Sequence, residues 1–516
     1  INIMAIDLPP TLPPQTAALA TVNQYASGAV PVVGKVGSYE VRVTGDHHLS
    51  APQLEKIFSV TNTPTTAVKL INSAIVRNGH LLVTLFYAPQ GRVIHVHAVQ
   101  GVVKSVEGES GVKGLFQGLV GDADLTYGEF DRVRVNAGLQ ASRASKTYTA
   151  SYSFSQDDPT AVTMNVATEG DAESDQADLI IGLSNGGNRF AGRYMADVGV
   201  NVYFDNGIGI QARYDTSLSE LGESFEGDDY HRGYFRLDKS TKIGLLGLEY
   251  SQAEYTQPIT TITPAVVVAG IEVTPESRVT VDYDAEIERM ALFGEHVLSS
   301  SATSRFILKE KVEHIDMEKY DDSTGTPTLL DEEYTTLEIG AYYHKNSSLG
   351  GNSFLWSLGM AARAGLGNDK GTLGQAEQNT AGNSPLFPQL RTSEFLMVRP
   401  EAYFKWSFGN SGWALSGNVI GQIADERLPE QQQWVLGGAN TISAYLPGVM
   451  VGDSGYFTSG SVSKEWKTES GSKYTISGFV EYGTSWYEDF QSDDFDQTDL
   501  EIADAVIRFA AQIGKV

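Results

Sequence analysis

Apolar and polar residues follow two different periods along this chain. Up to about residue 172, stretches in which apolar and polar residues alternate are separated by stretches with apolar residues at helical spacing. After Gln176 the helical spacing disappears, and alternating stretches joined by turn residues continue to the end. Because period 2 indicates half-buried strands and period 3.6 indicates amphipathic helices, we predict mixed α/β structure followed by a long all-β region.

The first mixed segment predicts the order strand, helix, helix, strand, strand. The predicted strands cover 39–43, 81–87 and 92–99, and the predicted helices begin near Ala51 and cover 65–77. Ser50 is a good N-cap for the first helix, and Asn78-Gly79 is a good C-terminal stop for the second. We therefore predict a small domain over 37–100.

A second segment repeats this order and predicts a second domain over 101–172. Its predicted strands cover 102–107, 147–154 and 161–168, its helices cover 114–119 and 127–141, and a turn covers 156–159. Upstream of both domains, residues 1–36 are rich in Pro, Ala and Thr and predict a linker or mobile plug. A short helix is predicted there over 16–27, which Pro13 and Pro14 stop from extending upstream.

The region 173–516 has long strands with one apolar face. Asp205-Asn206-Gly207 is a strong hairpin signal. The apolar face includes Tyr194, Ala196, Val198, Val200, Val202 and Phe204 before this turn and Ile208, Ile210, Ala212 and Tyr214 after it. Strands of about ten residues, apolar outside and polar inside, are typical of a transmembrane antiparallel β-barrel. Strands of soluble proteins average about five or six residues, and an open sheet would leave unpaired backbone groups in lipid, so we predict a closed barrel.

Composition narrows the choice of function. The absence of cysteine excludes disulfides and cysteine-based metal sites, and the net charge of −27 argues against nucleic-acid binding. No apolar run approaches the roughly twenty residues of a transmembrane helix, so a membrane protein of this sequence has to cross with strands. The acidic stretches 321–333 and 488–499 are predicted to be solvated loops. The N-terminus has neither a basic nor an apolar signal segment, which predicts a mature or trimmed start.

A glycine-rich segment with the sequence WVLGGANTISAYLPGVMVGDSGY, residues 434–456, lies between two alternating regions. It resembles the inward-folded loop of two-partner secretion transporters. The matching positions are Gly437, Gly438, the tetrad Ile442, Ser443, Ala444 and Tyr445, and the element Gly452, Asp453, Ser454 and Gly455. In that family the second position of the tetrad is arginine, so this chain has serine where the resemblance expects a cation.

The resemblance also implies a partner for the loop on the barrel wall. The family has a Phe-x-Asp-x-Gly segment there, and this chain has Phe479, Glu481 and Gly483 at the matching positions. Without the arginine, Glu481 accepts from Ser443, pairs with another base or contacts water. The alternative is that Glu481 is an ordinary residue of the barrel interior.

The resemblance implies a sixteen-stranded barrel in the bacterial outer membrane, preceded by two periplasmic POTRA domains. Such a monomer exports an unfolded exoprotein, an adhesin, haemolysin or contact-dependent toxin, and uses no cofactor. Only three strands follow the loop here, at 456–466, 474–486 and 499–516, where the family has five, and we interpret this as a missing C-terminus rather than a smaller barrel. The alternatives are a barrel-assembly factor of the same superfamily, a diffusion porin and a soluble surface hydrolase.

No residues of the chain form a recognisable catalytic or metal-binding motif. His95 and His97 share one face of a predicted strand, and His47 and His48 lie in the same domain. Zinc normally needs three or four well-placed ligands, so we predict solvent-facing strand histidines without a metal. No Ser-His-Asp or paired-carboxylate arrangement stands out, and we predict that the protein is not an enzyme.

Overall fold

Two small mixed sheets precede one large antiparallel sheet in the computed structural model. The structure describes residues 14–16, 30–108, 112–122, 124–143, 147–154, 158, 160–169, 176–184, 194–204, 206–218, 230–263, 266–268, 271–274, 277–301, 303–320, 330–375, 391–438, 441–443, 445, 448–468, 472–488 and 499–512. Most of the predicted helix over 16–27 and most of the predicted turn at 156–159 lie outside these residues, as does Ala444.

The first α/β unit is a five-stranded sheet covered by two helices. Its elements are β1 (Gln15–Thr16), β2 (Val32–Val36), β3 (Tyr39–Gly45), α1 (Ala51–Val60), α2 (Pro64–Arg77), β4 (Val83–Gln90) and β5 (Val93–Gln100), and the sheet order is β1-β4-β5-β3-β2. Both helices bury an apolar face against the sheet, with Leu54, Phe58 and Ile71 in the core. β1 and β2 are strands in the segment that was predicted to be a linker. They form because β1 pairs with β4 and β2 pairs with β3, and the local sequence does not reveal these partners.

The second α/β unit is a three-stranded sheet with helices on one side. Its elements are β6 (Val102–Gly108), α3 (Lys113–Phe116), α4 (Tyr127–Arg143), β7 (Thr147–Phe154) and β8 (Ala161–Glu169), in the order β6-β8-β7. Phe116, Phe130 and Met164 fill its core. The order strand, helix, helix, strand, strand is the one predicted from the sequence.

The two units share a continuous junction. Leu81 and Leu82, which precede β4 of the first unit, are buried in the core of the second unit. The Tyr127 N–H donates to the Gly79 carbonyl at 2.6 Å, and the Leu81 N–H donates to the Leu125 carbonyl at 3.4 Å. Backbone and core contacts therefore both join the units.

One predicted solvent-facing histidine is buried. The His97 side chain is almost fully buried on β5, and its Nδ1 lies 2.7 Å from the Thr44 hydroxyl. Burial lowers the pKa of His97, although Asp46 opposes the change. The prediction was wrong here because the His97 ring lies against the Thr44 hydroxyl and the backbone of Gly45, at the end of β3.

The barrel sheet contains fourteen antiparallel strands in the described residues. They are β9 (Gln176–Ser184), β10 (Met195–Tyr203), β11 (Ile208–Ser217), β12 (His231–Thr241), β13 (Gly244–Thr263), β16 (Ser277–Ser300), β17 (Ser304–Tyr320), β18 (Leu330–Leu349), β19 (Asn352–Leu366), β20 (Leu396–Ser407), β21 (Trp413–Ala424), β24 (Ser454–Lys467), β25 (Lys473–Trp486) and β26 (Asp499–Gln512). Two ribbons extend from it, β14 (Val266–Val268) with β15 (Ile271–Thr274) and β22 (Trp434–Leu436) with β23 (Met450–Gly452). Consecutive strands are neighbours throughout, as the hairpin signals predict.

The barrel sheet exposes its apolar face and buries its charged face. Large apolar side chains are exposed at Val198, Val200, Leu292, Ile339, Leu358, Met360, Val462, Val480 and Ile507. The opposite face buries Asp238, Glu313, Glu332, Arg363, Gln422 and Glu481. In a soluble protein the apolar face is buried and the charged face is exposed. The opposite arrangement is the one that a barrel wall in contact with hydrocarbon requires. None of the described helices combines the length and apolarity needed to cross a membrane.

The strand connections are short at one end of the barrel sheet and long at the other. Connections of a few residues join β10 to β11, β12 to β13, β16 to β17 and β18 to β19, whereas the connection between β19 and β20 runs from 367 to 395. Helix α4 packs against β12, β13 and β16 at the short-connection end. The second α/β unit therefore lies at that end, opposite the long loops.

Asp131 fixes α4 to the barrel sheet. Its fully buried carboxylate accepts hydrogen bonds from Arg305 of β17, at 3.1 and 3.3 Å, from Arg134, at 2.7 and 2.9 Å, and from the Ser300 hydroxyl. Burial by itself raises the pKa of Asp131, but the hydrogen bonds and the charge of Arg305, with the other two donors, outweigh burial and hold this pKa below its usual value. The ionised carboxylate is therefore the form that joins the unit to the barrel.

Candidate functional site

The glycine-rich segment 434–456 leaves the barrel sheet as a two-stranded ribbon that lies against the wall. β22 pairs with β23, so that Trp434 is opposite Gly452 and Leu436 is opposite Met450. The ribbon contacts β24 and β25. It connects β21 to β24, which are themselves neighbours in the sheet, so the whole segment is an insertion between two adjacent strands.

The tip of the ribbon is a turn held by its own backbone. Gly437 and Gly438 have φ of +105° and +87°, a conformation that side chains disfavour and glycine adopts freely. The Gly438 N–H donates to the Tyr445 carbonyl at 2.7 Å, and the Gly437 N–H donates to the Thr441 hydroxyl at 2.8 Å. The glycine pair thus provides the positive φ values with which the chain leaves β22.

Ser443 at the tip binds Glu481 on the barrel wall. The Ser443 backbone N–H donates to Glu481 Oε2 at 2.7 Å, and the Ser443 hydroxyl donates to the same oxygen at 2.8 Å. Glu481 is buried on β25, whereas the preceding residue of the strand, Val480, points to the other face and is exposed. Of the arrangements open to Glu481 from the sequence, the structure has the one in which it accepts from Ser443.

A small hydrophobic cluster holds the ribbon against the same stretch of wall. Leu436, Ile442, Met450 and Phe457 are buried together, and Gly483 lies beneath them on β25. A Cβ at Gly483 would lie 2.9 Å from Leu436 Cδ1 and 3.3 Å from Ile442 Cδ1, so both side chains would have to shift away from the wall. Glycine at this position therefore allows the ribbon to approach the wall.

The other residues expected at the wall and the tip are placed around this contact. Phe479 is on the same face of β25 as Glu481, and the Arg508 guanidinium lies 5.1 Å from its ring centroid. Asp504 of β26 is directly opposite Glu481 in the strand register. The Tyr445 side chain is 41% exposed and forms no hydrogen bond to the wall among the described residues.

A buried ion pair closes the other end of the segment. Asp453 and Arg427 are both almost fully buried, with 2.9 Å between Arg427 Nε and Asp453 Oδ2. The Asp453 carboxylate also accepts from the backbone N–H groups of Leu428 and Glu488. The residues before and after the ribbon are thereby tied to each other and to the end of β25.

The turn at Glu430–Gln432 joins the base of the segment to distant strands. The Glu430 N–H donates to Glu332 Oε2 of β18 at 2.8 Å, and Arg363 of β19 donates to the Gln432 side-chain oxygen at 2.8 Å. Gln431 accepts from Arg289 of β16. The segment therefore contacts the wall at two places, with its base on β16, β18 and β19 and its tip on β25.

Sequence reasoning did not identify the base contacts. The spacing of Arg427, Glu430 and Gln432 follows no motif, and their partners are far away in the chain. The only signal was the density of polar residues in 425–433, immediately before an apolar ribbon. That signal is equally typical of a solvated loop.

Comparisons with known proteins agree with this geometry. The family model for the haemolysin secretion/activation proteins ShlB/FhaC/HecB matches residues 166–497. CdiB from Escherichia coli has a similar structure, with a TM-score of 0.66 and 14% identity over 95% of this chain and 89% of that chain. CdiB from Acinetobacter baumannii gives a TM-score of 0.57 and 13% identity over 97% and 88%. At these identities the similarity shows the fold, and no curated protein sequence matches the chain.

Proposed function

Because the chain belongs to the family of haemolysin secretion/activation proteins ShlB/FhaC/HecB, we propose that it is an outer-membrane pore that exports an unfolded partner exoprotein in two-partner secretion. The observation that carries this proposal is the ribbon, which occupies the interior face of the barrel wall and is anchored to Glu481 by Ser443. A simple diffusion pore would not need the two α/β units that precede the barrel sheet. The exoprotein is an adhesin, a haemolysin or a contact-dependent toxin.

The ribbon is the gate of this pore in our proposal. Its tip is held by two hydrogen bonds and a four-residue hydrophobic cluster, whereas its base is held by buried charges. A hydrogen bond to a charged group contributes about 1.5–3 kcal/mol to stability. A segment of the exported chain can form such a bond with Glu481 in place of Ser443. Movement of the tip alone opens space along β25 while the base stays in place.

The two α/β units are, in this proposal, POTRA-like domains at 37–100 and 101–172 that lie in the periplasm before the barrel at 173–516. Short connections face the periplasm in outer-membrane barrels, and the second unit packs at that end. β2 is an edge of the five-stranded sheet, and β6 and β7 are the edges of the three-stranded sheet. An unfolded exoprotein can add to such edges as a strand, with main-chain hydrogen bonds and little demand on its sequence.

Co-expression tests this function. This protein is expressed in the outer membrane of a host bacterium, together with the secreted protein that is encoded beside it. The amount of this exoprotein is measured in the medium and at the cell surface. A strain lacking residues 37–172 is the matched variant. We expect export only with the intact chain, and accumulation in the periplasm with the variant.

A second measurement separates secretion from barrel assembly. The abundance of unrelated outer-membrane barrels is followed in cells with and without this protein. Unchanged barrels together with lost export support secretion. Loss of other barrels, with the exoprotein unaffected, would replace the secretion proposal by an assembly function.

A further inference from the structure

Three side chains with metal-binding atoms meet at the junction of the two α/β units. The candidate ligand atoms of His48, His80 and Asp124 all lie within 4.8 Å of one another. The two imidazole rings are stacked, with centroids 3.8 Å apart and planes at 8°, and His80 Nδ1 lies 2.8 Å from Asp124 Oδ1. They come from three separate parts of the sequence, which is why the sequence shows no motif.

The junction holds these three residues in place. His80 lies between Gly79 and Leu81, whose backbones bond to the second unit, and it forms an isolated bridge with Thr126. Asp124 is two residues from Thr126, and its N–H donates to Asp122. His80 of the first unit and Asp124 of the second are therefore fixed relative to each other by main-chain contacts.

His48 is held in an unusual backbone conformation. Among the described residues other than glycine, it is the one with positive φ, +51°. Asn78 donates to its carbonyl at 3.3 Å, and its Nε2 lies 3.0 Å from the Gln100 side-chain oxygen. A left-handed conformation outside glycine costs about 1 kcal/mol or more, and such strain concentrates at binding sites. A hydrogen bond from Nε2 to Gln100 leaves Nδ1 as the atom available to a ligand.

Two imidazoles and one carboxylate match the preferences of zinc. Zn²⁺ binds His nitrogen at about 2.0–2.1 Å and carboxylate oxygen at about 2.0–2.2 Å, and open sites have three protein ligands and water in the fourth position. The candidate ligand atoms lie within 4.8 Å of one another, so rotation of the exposed side chains can bring them to a shared ion.

We propose that His48, His80 and Asp124 bind one Zn²⁺ ion that links the first α/β unit to the second. His48 and His80 belong to the first unit and Asp124 to the second, so the ion adds a direct bond between the units. Zinc in the medium then stiffens the junction and fixes the angle between the two sheets. This inference does not depend on the secretion function.

Zinc titration of the purified full-length protein in detergent tests the site. We compare the wild type with His80→Ala, Asp124→Asn and His48→Asn, because asparagine also tolerates the left-handed backbone of His48. His95→Ala is the matched control, since His95 is in the same unit and its ring bonds Gln90 instead. We expect one high-affinity Zn²⁺ in the wild type and in His95→Ala, and at least a tenfold loss of affinity in the other three.

The linking role needs a second readout. The chain has no native cysteine, so spin labels at Glu55→Cys and Lys104→Cys, two exposed positions on different units, report one distance. Zinc is expected to narrow the distance distribution in the labelled wild type and to leave the labelled His80→Ala protein unchanged. Equal zinc binding by all variants, or no binding by the wild type, overturns the site. Binding without narrowing overturns the link.

Discussion

Ser443 places its backbone N–H and its hydroxyl on a single oxygen of Glu481, at 2.7 and 2.8 Å. An uncharged residue thus contacts Glu481 at the position where the resemblance expects an arginine. The serine donors satisfy one carboxylate oxygen of Glu481, and Asp504 of β26 lies directly opposite Glu481 in the strand register. The tip is therefore attached by hydrogen bonds and apolar contacts rather than by an ion pair.

Replacing Ser443 with arginine should hold the tip more tightly. The new guanidinium would face Glu481 with Asp504 directly opposite, and a charge-assisted pair with planar donors is stronger than a hydroxyl bond. We expect openings in planar-bilayer recordings to become about tenfold rarer, which corresponds to roughly 1.4 kcal/mol. Ser443→Thr, which keeps both donors, should behave as the wild type. Openings of Ser443→Arg at the wild-type frequency would contradict this assignment of the contact.

Adding one methyl group at Gly483 should displace the ribbon. The new Cβ would lie 2.9 and 3.1 Å from the two Leu436 methyl carbons, and Leu436 is fully buried and has little room to move. We expect Gly483→Ala to raise the conductance and to expose the ribbon to added protease. Gly478→Ala on the same strand is the control, because no atom lies within 4 Å of its Cβ. The prediction fails when both variants give the same conductance.

Neutralising Asp453 should destabilise the base of the segment. Arg427 is almost fully buried beside it, and removing one partner of a buried pair leaves an uncompensated charge, at a cost of about 3–5 kcal/mol. We expect Asp453→Asn to lower the thermal unfolding temperature of the barrel in detergent and to reduce its yield in membranes. Asp425→Asn, a change at the same end of the barrel, is the comparison. If Asp453→Asn is as stable as Asp425→Asn, the ion pair between Arg427 and Asp453 does not stabilise the barrel.

The attachment of α4 to the barrel should weaken in acid. Because Asp131 has a folded pKa below its unfolded value of about 3.9, its ionised form stabilises the folded state; this contribution is complete above about pH 4 and is lost as the pH falls through the folded pKa. We expect Asp131→Asn to cost up to about 3 kcal/mol at neutral pH and to flatten the acid limb of the stability curve. Thermal unfolding between pH 3 and 7 measures both effects.

Glu107→Gln, an exposed carboxylate of the same α/β unit, provides the comparison for Asp131. It should leave the acid limb in place, since Glu107 is exposed and joins no buried network among the described contacts. An acid limb that persists in Asp131→Asn would assign the pH dependence to other carboxylates.

The parts of the fold that the sequence predicts are those with local causes. Alternation along β10 and β11 and the Asp205-Asn206-Gly207 turn specify a hairpin without reference to any other strand. The pairing of β2 with β3 is different, because the five residues of β2 form a strand only beside an existing edge. The burial of His97 likewise depends on contacts with Thr44 and Gly45, which are about fifty residues away in the sequence.

The candidate site divides in the same way. Gly437, Gly438 and Glu481 are predicted from the sequence because a resemblance carries them, and the structure adds that Ser443 donates hydrogen bonds to Glu481. Arg427, Glu430 and Gln432 are missed, because each contact joins residues with no fixed spacing. His48, His80 and Asp124 are missed for the same reason, since only the junction of two units brings them together.

The two unequal attachments of the ribbon set the order in which it is released and rebound. When an exported chain displaces the tip from Glu481, the base contacts of Glu430 and Gln432 still tether the segment to β18 and β19. Rebinding of the tip is then an intramolecular event, with a high effective concentration that needs no added ligand. In the mechanism that we propose, the pore therefore reseals after each exported molecule without nucleotide hydrolysis, because closure restores contacts that the tether keeps within reach.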